Sequence, residues 1–134
     1  MHRDRLVAFL RNFLAERSEG VVAVYLFGSR ARGTGGSRSD VDLAFLYQEV
    51  PPSALDAPPR RLESELELEL GLPVQVVTLN NAPADLVHRV LRDGEILLDM
   101  DRSRRILFEV RARNEYFDLK PVLDRYRRGA AVAR

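Results

Sequence analysis

Apolar residues along this chain recur with two periods, one suited to helices and one to strands. Leu6, Leu10, Phe13 and Leu14, with Phe9 beside them, fall at helical spacing, so residues 4–16 are predicted to form a helix that Ser18-Glu19-Gly20 ends. The unbroken β-rich run Val21–Phe27 predicts a strand covered on both faces. Val41–Tyr47 reads as a second strand, and a connection containing Pro51, Pro52, Pro58 and Pro59 follows it. Two patterns then compete. Leu66, Leu68 and Leu70 alternate with Glu65, Glu67 and Glu69 as in a strand, yet Leu55, Leu62, Leu66 and Leu70 share one helical stripe. Leu and Glu favour helices and no β-branched residue intervenes, so a helix Pro59–Leu70 capped by Gly71 is expected. Val74–Leu79 is a third strand. Ala84–Arg92 is a helix opened by Pro83 and closed by Gly94, with Leu86, Val87, Val90 and Leu91 as its buried stripe. Glu95–Leu98 is expected as a short edge strand. From Asp101 a helical segment runs to about Lys120, where Pro121 should break it before a last helix, Val122–Arg128. The alternation predicts an α/β (α+β) fold, a small mixed β-sheet with helices packed on it and further helices at the C-terminus.

Composition narrows the functional classes. A length of 134 residues predicts a single domain over residues 1–134, with a core at about 1–100 and a helical segment at 101–134. The absence of cysteine excludes disulfides, thiolate catalysis and cysteine-ligated zinc. With no membrane-length apolar run and no signal-peptide pattern, a cytoplasmic protein without membrane association is expected. Net charge is only +1, but it is polarised: 11 basic and 15 acidic side chains up to residue 100, then 10 and 5. The basic segment could meet nucleic acid or an acidic partner protein, or it could simply be a solvated helix face. Near-neutral charge and the lack of a recognition motif make direct nucleic-acid binding an unfavoured reading. His2 is expected to be disordered and His88 to be a solvated surface residue, so histidine-based nucleophilic or zinc chemistry has no support. Tyr25 reads as core, and Tyr116 and Phe117 as core or interface aromatics.

The chemistry is concentrated between the first two strands. Gly28-Ser29 is separated by ten residues from Asp40-Val41-Asp42. Glycine lets backbone approach a ligand closely, and amides opening a short helix at Arg30–Arg32 favour phosphate oxygens. The Ser29 hydroxyl can bind a phosphate, and Arg30, Arg32 and Arg38 can neutralise polyphosphate charge. Asp40 and Asp42, spaced i, i+2, point the same way. Such a pair is tolerated on an apolar strand chiefly with a divalent cation between the carboxylates, as Mg²⁺ bridging a triphosphate would be. A turn residue would explain Asp40, but not Asp42 inside the strand, where Asp is disfavoured.

Gly-Ser, ten residues, then Asp-x-Asp resembles the signature of the polymerase-β-like nucleotidyltransferase superfamily. The chain is similar nearly throughout to the minimal nucleotidyltransferases, including Leu72–Pro83, Phe108-Glu109 and Tyr116–Pro121. The resemblance implies a nucleotidyltransferase-like fold and transfer of a nucleoside monophosphate, AMP from ATP, to an acceptor hydroxyl. It further implies that Gly28 and Ser29 bind the triphosphate and that Asp40 and Asp42 are catalytic metal ligands for Mg²⁺. Many members act as antitoxins that adenylylate a tyrosine of a HEPN-domain toxin, which makes such a toxin the expected partner. The family pattern normally has Asp where this chain has Gln75, and an acidic residue at Thr78. Gln75 offers no charge and cannot act as a base. The site is then either impaired or vestigial, the chain in the second case being an antitoxin that acts by occlusion. Glu65 or Glu69 could stand in for the third carboxylate. A small-molecule acceptor would need an added substrate domain.

Overall fold

The computed structural model describes residues 2–33, 40–52 and 57–132. Leu55 and Arg38 lie outside them, as does the side chain of Arg32. The chain runs α1 (Arg3–Ala15), β1 (Val21–Phe27), α2 (Ser29–Arg32), β2 (Val41–Tyr47), α3 (Pro58–Leu70), β3 (Val74–Thr78), a 3-10 turn at Leu79–Asn81, α4 (Ala84–Asp93), β4 (Glu95–Asp99) and α5 (Arg102–Val132). The strands form one mixed sheet in the order β3-β2-β1-β4, with β1 antiparallel to both neighbours and β2 parallel to β3. The edge position expected of the fourth strand is realised.

Strand alternation divides the apolar side chains between two layers. Val24 and Leu26 of β1 and Leu43 and Phe45 of β2 meet Leu6, Leu10 and Leu14 of α1 and Leu62 and Leu66 of α3. Ala23, Tyr25, Ala44 and Leu46 point to the opposite face, where Val87 and Val90 of α4 and Phe108 and Ala112 of α5 cover them. Both faces of β1 are therefore buried, which is why its sequence lacks alternation. The segment after residue 100 belongs to the second layer and is not an appendage. It is pinned by Arg105, whose Nε lies 3.0 Å from the Asp99 carboxylate and whose terminal nitrogen lies 2.8 Å from that of Glu109. The Tyr25 hydroxyl donates to Glu109 at 3.2 Å.

The competing patterns of residues 59–70 resolve as a helix with its glutamates in use. Leu62 and Leu66 are buried, while Glu63 and Glu67 accept hydrogen bonds from the Val76 and Val74 amides at 2.7 and 3.1 Å. Arg60 donates to the Val76 carbonyl at 2.7 Å. At the other edge Arg11 donates to the Ile96 carbonyl at 3.2 Å, and Arg3 ion-pairs with Glu95. Side chains of α3 and α1 thus occupy edge groups that a further strand would otherwise use.

Three expectations change. Pro121 does not break the last helix, which is continuous as α5. Proline deprives the carbonyl four residues back of its donor, but Phe117 and Pro121 both face solvent, so water can satisfy that carbonyl. Arg127 also ties the far end of α5 to Asp85 of α4 at 2.9 Å. His88 is half-buried, its ring stacked on Tyr116 at 3.7 Å, because α5 packs along the side of α4 turned from the sheet. His2 takes the N-cap position of α1, its side chain accepting from the Asp4 amide. Of the two aromatics, Tyr116 is this helix–helix contact and Phe117 is 64% exposed.

Candidate active site

The register of the sheet assembles the site. Phe27, the last residue of β1, lies opposite Asp42, and Asp42 lies opposite Gln75. These three side chains share the α4/α5 face of the sheet, since Ala44 and Leu46 on β2 and Val77 on β3 contribute to that layer. Together with Gly28, Ser29, Val77 and the α4 residues Leu86, Arg89 and Asp93 they line a cavity of about 560 Å³.

Gly28 carries the tightest constraint. Its φ of 77° is in the left-handed region that favours glycine. A Cβ there would stand 2.3 Å from Oδ2 of Asp42. The loop backbone is thus pressed against the carboxylate, and the Gly-Ser and Asp-x-Asp elements coupled by their spacing in the sequence are in contact. Gly94 has a comparable role on the far side, where a Cβ would meet the Val90 carbonyl at 2.4 Å and the Leu26 carbonyl at 3.2 Å. This close approach sets the end of α4, and Asp93 with it, beside the end of β1.

The expected site residues are distributed unevenly. Gly28, Ser29, Asp42 and Gln75 line the cavity. Asp40 is exposed one residue before β2, on the same side of the chain as Asp42 by strand alternation, and is not among the lining residues. Arg30 is 4% exposed, the only charged side chain of that burial among the described residues, and it too is absent from the cavity wall. It is the second residue of the four-residue α2. The backbone of Arg32 closes α2 ahead of Gly33. Neither glutamate considered as a substitute reaches the site: Glu65 is bound to Arg17 at 3.0 Å, and neither it nor Glu69 lines the cavity. Thr78, opposite Phe45, lies farther along β3.

The helix α4 supplies a wall that the sequence reading did not assign. Leu86, Arg89 and Asp93 project from one face at spacings of three and four. The Asp93 carboxylate accepts from Arg92 at 3.0 and 2.9 Å, a bond that also raises the Arg92 pKa. Among the described residues no three acidic or histidine side chains are grouped to hold a metal. Magnesium bound with a nucleotide needs only one or two carboxylates beside the phosphates. Asp42, whose carboxylate faces the cavity against a backbone that no Cβ could share, fits that requirement with Asp40 beside it.

Residues 10–103 match the family described as Polymerase beta, Nucleotidyltransferase. The chain belongs to this family. Among solved structures, a toxin–antitoxin crystal structure with AMP-PNP superposes with a TM-score of 0.70 at 22% identity, covering 94% of this chain and 98% of that one. The MNT antitoxin complex with a tri-AMPylated HEPN toxin from Shewanella oneidensis gives 0.68 at 20% identity, covering 92% and 98%. A structure described as a putative minimal nucleotidyltransferase is 32% identical, with a TM-score of 0.56 and coverage of 71% and 95%. Comparison with curated proteins gives no match. The α+β fold expected from the sequence is that of these nucleotidyltransferases. Among the described residues no helix is long and apolar enough to cross a membrane.

Proposed function

We propose that this chain is a Mg²⁺-dependent nucleotidyltransferase that moves AMP from ATP to a hydroxyl of a HEPN-type toxin partner, and so acts as its antitoxin in the cytoplasm. The observation that carries the reading is the cavity itself, in which the Gly28 backbone abuts Asp42 and Gln75 stands beside Asp42 in register. Asp42 and Asp40 would hold the metal, which supplies charge neutralisation to the triphosphate when bound. The close approach allowed at Gly28 and the Ser29 hydroxyl receive the phosphates, and Arg89 on the opposite wall adds a positive charge to the cavity. In the family pattern the position of Gln75 holds a carboxylate. Its amide can accept a hydrogen bond from an acceptor hydroxyl but cannot take the proton, so transfer is expected to run about 10²–10⁴ slower than with a competent base.

The test is direct. Pure protein, α-labelled ATP, Mg²⁺ or Mn²⁺ and the protein encoded beside it should give label on that protein, and Asp42→Asn should abolish it. No transfer in any combination sinks the enzymatic reading.

A second reading follows from Gln75 and from the apolar residues that α5 leaves exposed, Phe117 and Tyr126 among them. In that reading the chain neutralises its partner by covering it. Asp42→Ala would then leave neutralisation intact, whereas the enzymatic reading requires its loss.

A further inference from the structure

The helix α4 crosses the cavity with one face turned to it. Leu86 stands on the β3 side, since it and Val77 line both the cavity and a neighbouring hollow between Pro52 and Pro83. Asp93 stands on the β1 side, because Gly94 next to it closes on the Leu26 carbonyl. Arg89 lies between the two on the same face. The strand order β3-β2-β1 therefore puts Arg89 over β2, across the cavity from Asp42.

Arg89 is also uncommitted. On a helix, a carboxylate four residues away is the partner within easiest reach of an arginine, and for Arg89 that is Asp93. Here the adjacent Arg92 holds the Asp93 carboxylate, at 3.0 and 2.9 Å. The arginines that fix α5 are likewise engaged, Arg105 with Asp99 and Glu109 and Arg127 with Asp85. Among the described residues no carboxylate lies within ion-pairing distance of Arg89. A positive charge is thus left on the cavity wall, open to an anionic ligand.

The opposite wall decides how many cations such a ligand can bring with it. Sites that hold two divalent ions keep them about 3.5–4 Å apart, and ions so close repel unless carboxylates surround both. Asp42, with Asp40 beside it, serves one ion. The β3 position in register with Asp42 is Gln75, a neutral amide, and among the described residues no three acidic or histidine side chains are grouped. ATP with a single Mg²⁺ is still an anion and needs further positive charge. We propose that Arg89 takes the place of a second metal, so that the site binds the nucleotide with one Mg²⁺ on the Asp42 side and the Arg89 guanidinium on the phosphates from α4. The assignment rests on the nucleotidyltransferase reading above. A guanidinium is always charged, and its planar fork can grip two phosphate oxygens at once. Gln75 and Arg89 then belong together. A carboxylate at position 75 would draw in a second ion that Arg89 repels, whereas an amide there leaves the arginine without a rival.

Counting ions tests this without turnover. With the full chain saturated by AMP-PNP and Mn²⁺, electron paramagnetic resonance after equilibrium dialysis should find one protein-bound Mn²⁺ per chain. Combining Gln75→Asp with Arg89→Ala should raise the count to two. Arg89→Ala alone should weaken AMP-PNP by about tenfold or more, the worth of a hydrogen bond to a charged group. The melting temperature of the nucleotide-free chain should not move in that variant, because no ion pair among the described residues is lost. Two ions on the original chain overturn the proposal, and so does a double variant that still holds one. Unchanged AMP-PNP affinity in Arg89→Ala, or a lowered melting temperature, overturns it as well. If AMP-PNP does not bind the original chain at all, the nucleotidyltransferase reading fails and the proposal with it, whereas two ions beside bound AMP-PNP leave that reading standing.

Discussion

Gly28 satisfies two requirements that no other residue meets together: a left-handed φ and room for the Asp42 carboxylate. Gly28→Ala should therefore cost about 1–3 kcal/mol of stability, read by chemical denaturation, and should also abolish AMP-PNP binding through displacement of Asp42. Gln75→Asp tests the opposite case. It places a second carboxylate beside Asp42 in register, so like-charge repulsion should lower the melting temperature without metal, and Mg²⁺ should restore it. Label transfer should rise by about tenfold or more if the missing base limits the rate. An unchanged rate would show that position 75 is not the deficit. These residues were legible because the Gly-Ser and Asp-x-Asp spacing records a contact made at the ends of adjacent strands. Arg89 and Asp93 were not, because an amphipathic pattern reports which face of α4 is buried and says nothing about which neighbouring face reaches a cavity. The burial of Arg30 was equally hidden, since a charged residue beside a glycine-rich loop looks the same in sequence whether it is covered or exposed.

At the scale of elements, the alternating Leu and Glu residues of α3 carry two messages in one segment. The leucines at helical spacing build the core, and the glutamates one position on serve the edge of β3. Glu63→Ala should leave the Val76 amide without its acceptor at a cost of about 1–3 kcal/mol, measurable by urea denaturation. A cost indistinguishable from that of Glu69→Ala would refute the role. Helix propensity favoured α3 correctly, but the hydrogen bonds to β3 depend on an approach between elements that no local pattern encodes. The continuity of α5 shows the same limit from the other direction. Proline is a local signal, and its effect was overstated because both Pro121 and the residue whose carbonyl it strands lie in solvent.

The whole molecule is two apolar layers on one sheet, and α5 completes the second of them. A chain ending at residue 100 would uncover Tyr25 and its neighbours, so truncation there should destabilise the fold by several kcal/mol, on the scale of about 1.5–3 kcal/mol for each large apolar side chain exposed. Retention of full stability would contradict this. Titration offers a second global test. Burial pushes the Tyr47 phenol up to about 12 and shifts Tyr25 in the same direction, helped there by Glu109. A phenol whose pKa is raised on folding binds its proton more tightly in the native state. Its contribution is therefore complete below pH ~10, the unfolded value, and is lost as pH rises through the folded one. Unfolding free energy should fall by up to about 3 kcal/mol on Tyr47's account across that window, and Tyr47→Phe should flatten the decline.

The side chains that occupy the two sheet edges have a consequence for assembly. With α3 groups on the outer side of β3 and Arg11 on the Ile96 carbonyl, the sheet offers little purchase to strand addition, a recurring route by which sheets recruit peptides. Association must then be read out by side chains on helices and loops. Such surfaces can change partner by substitution at solvent-facing positions while the sheet that holds Asp42 stays untouched. A protein built this way can follow a changing partner without disturbing its own fold.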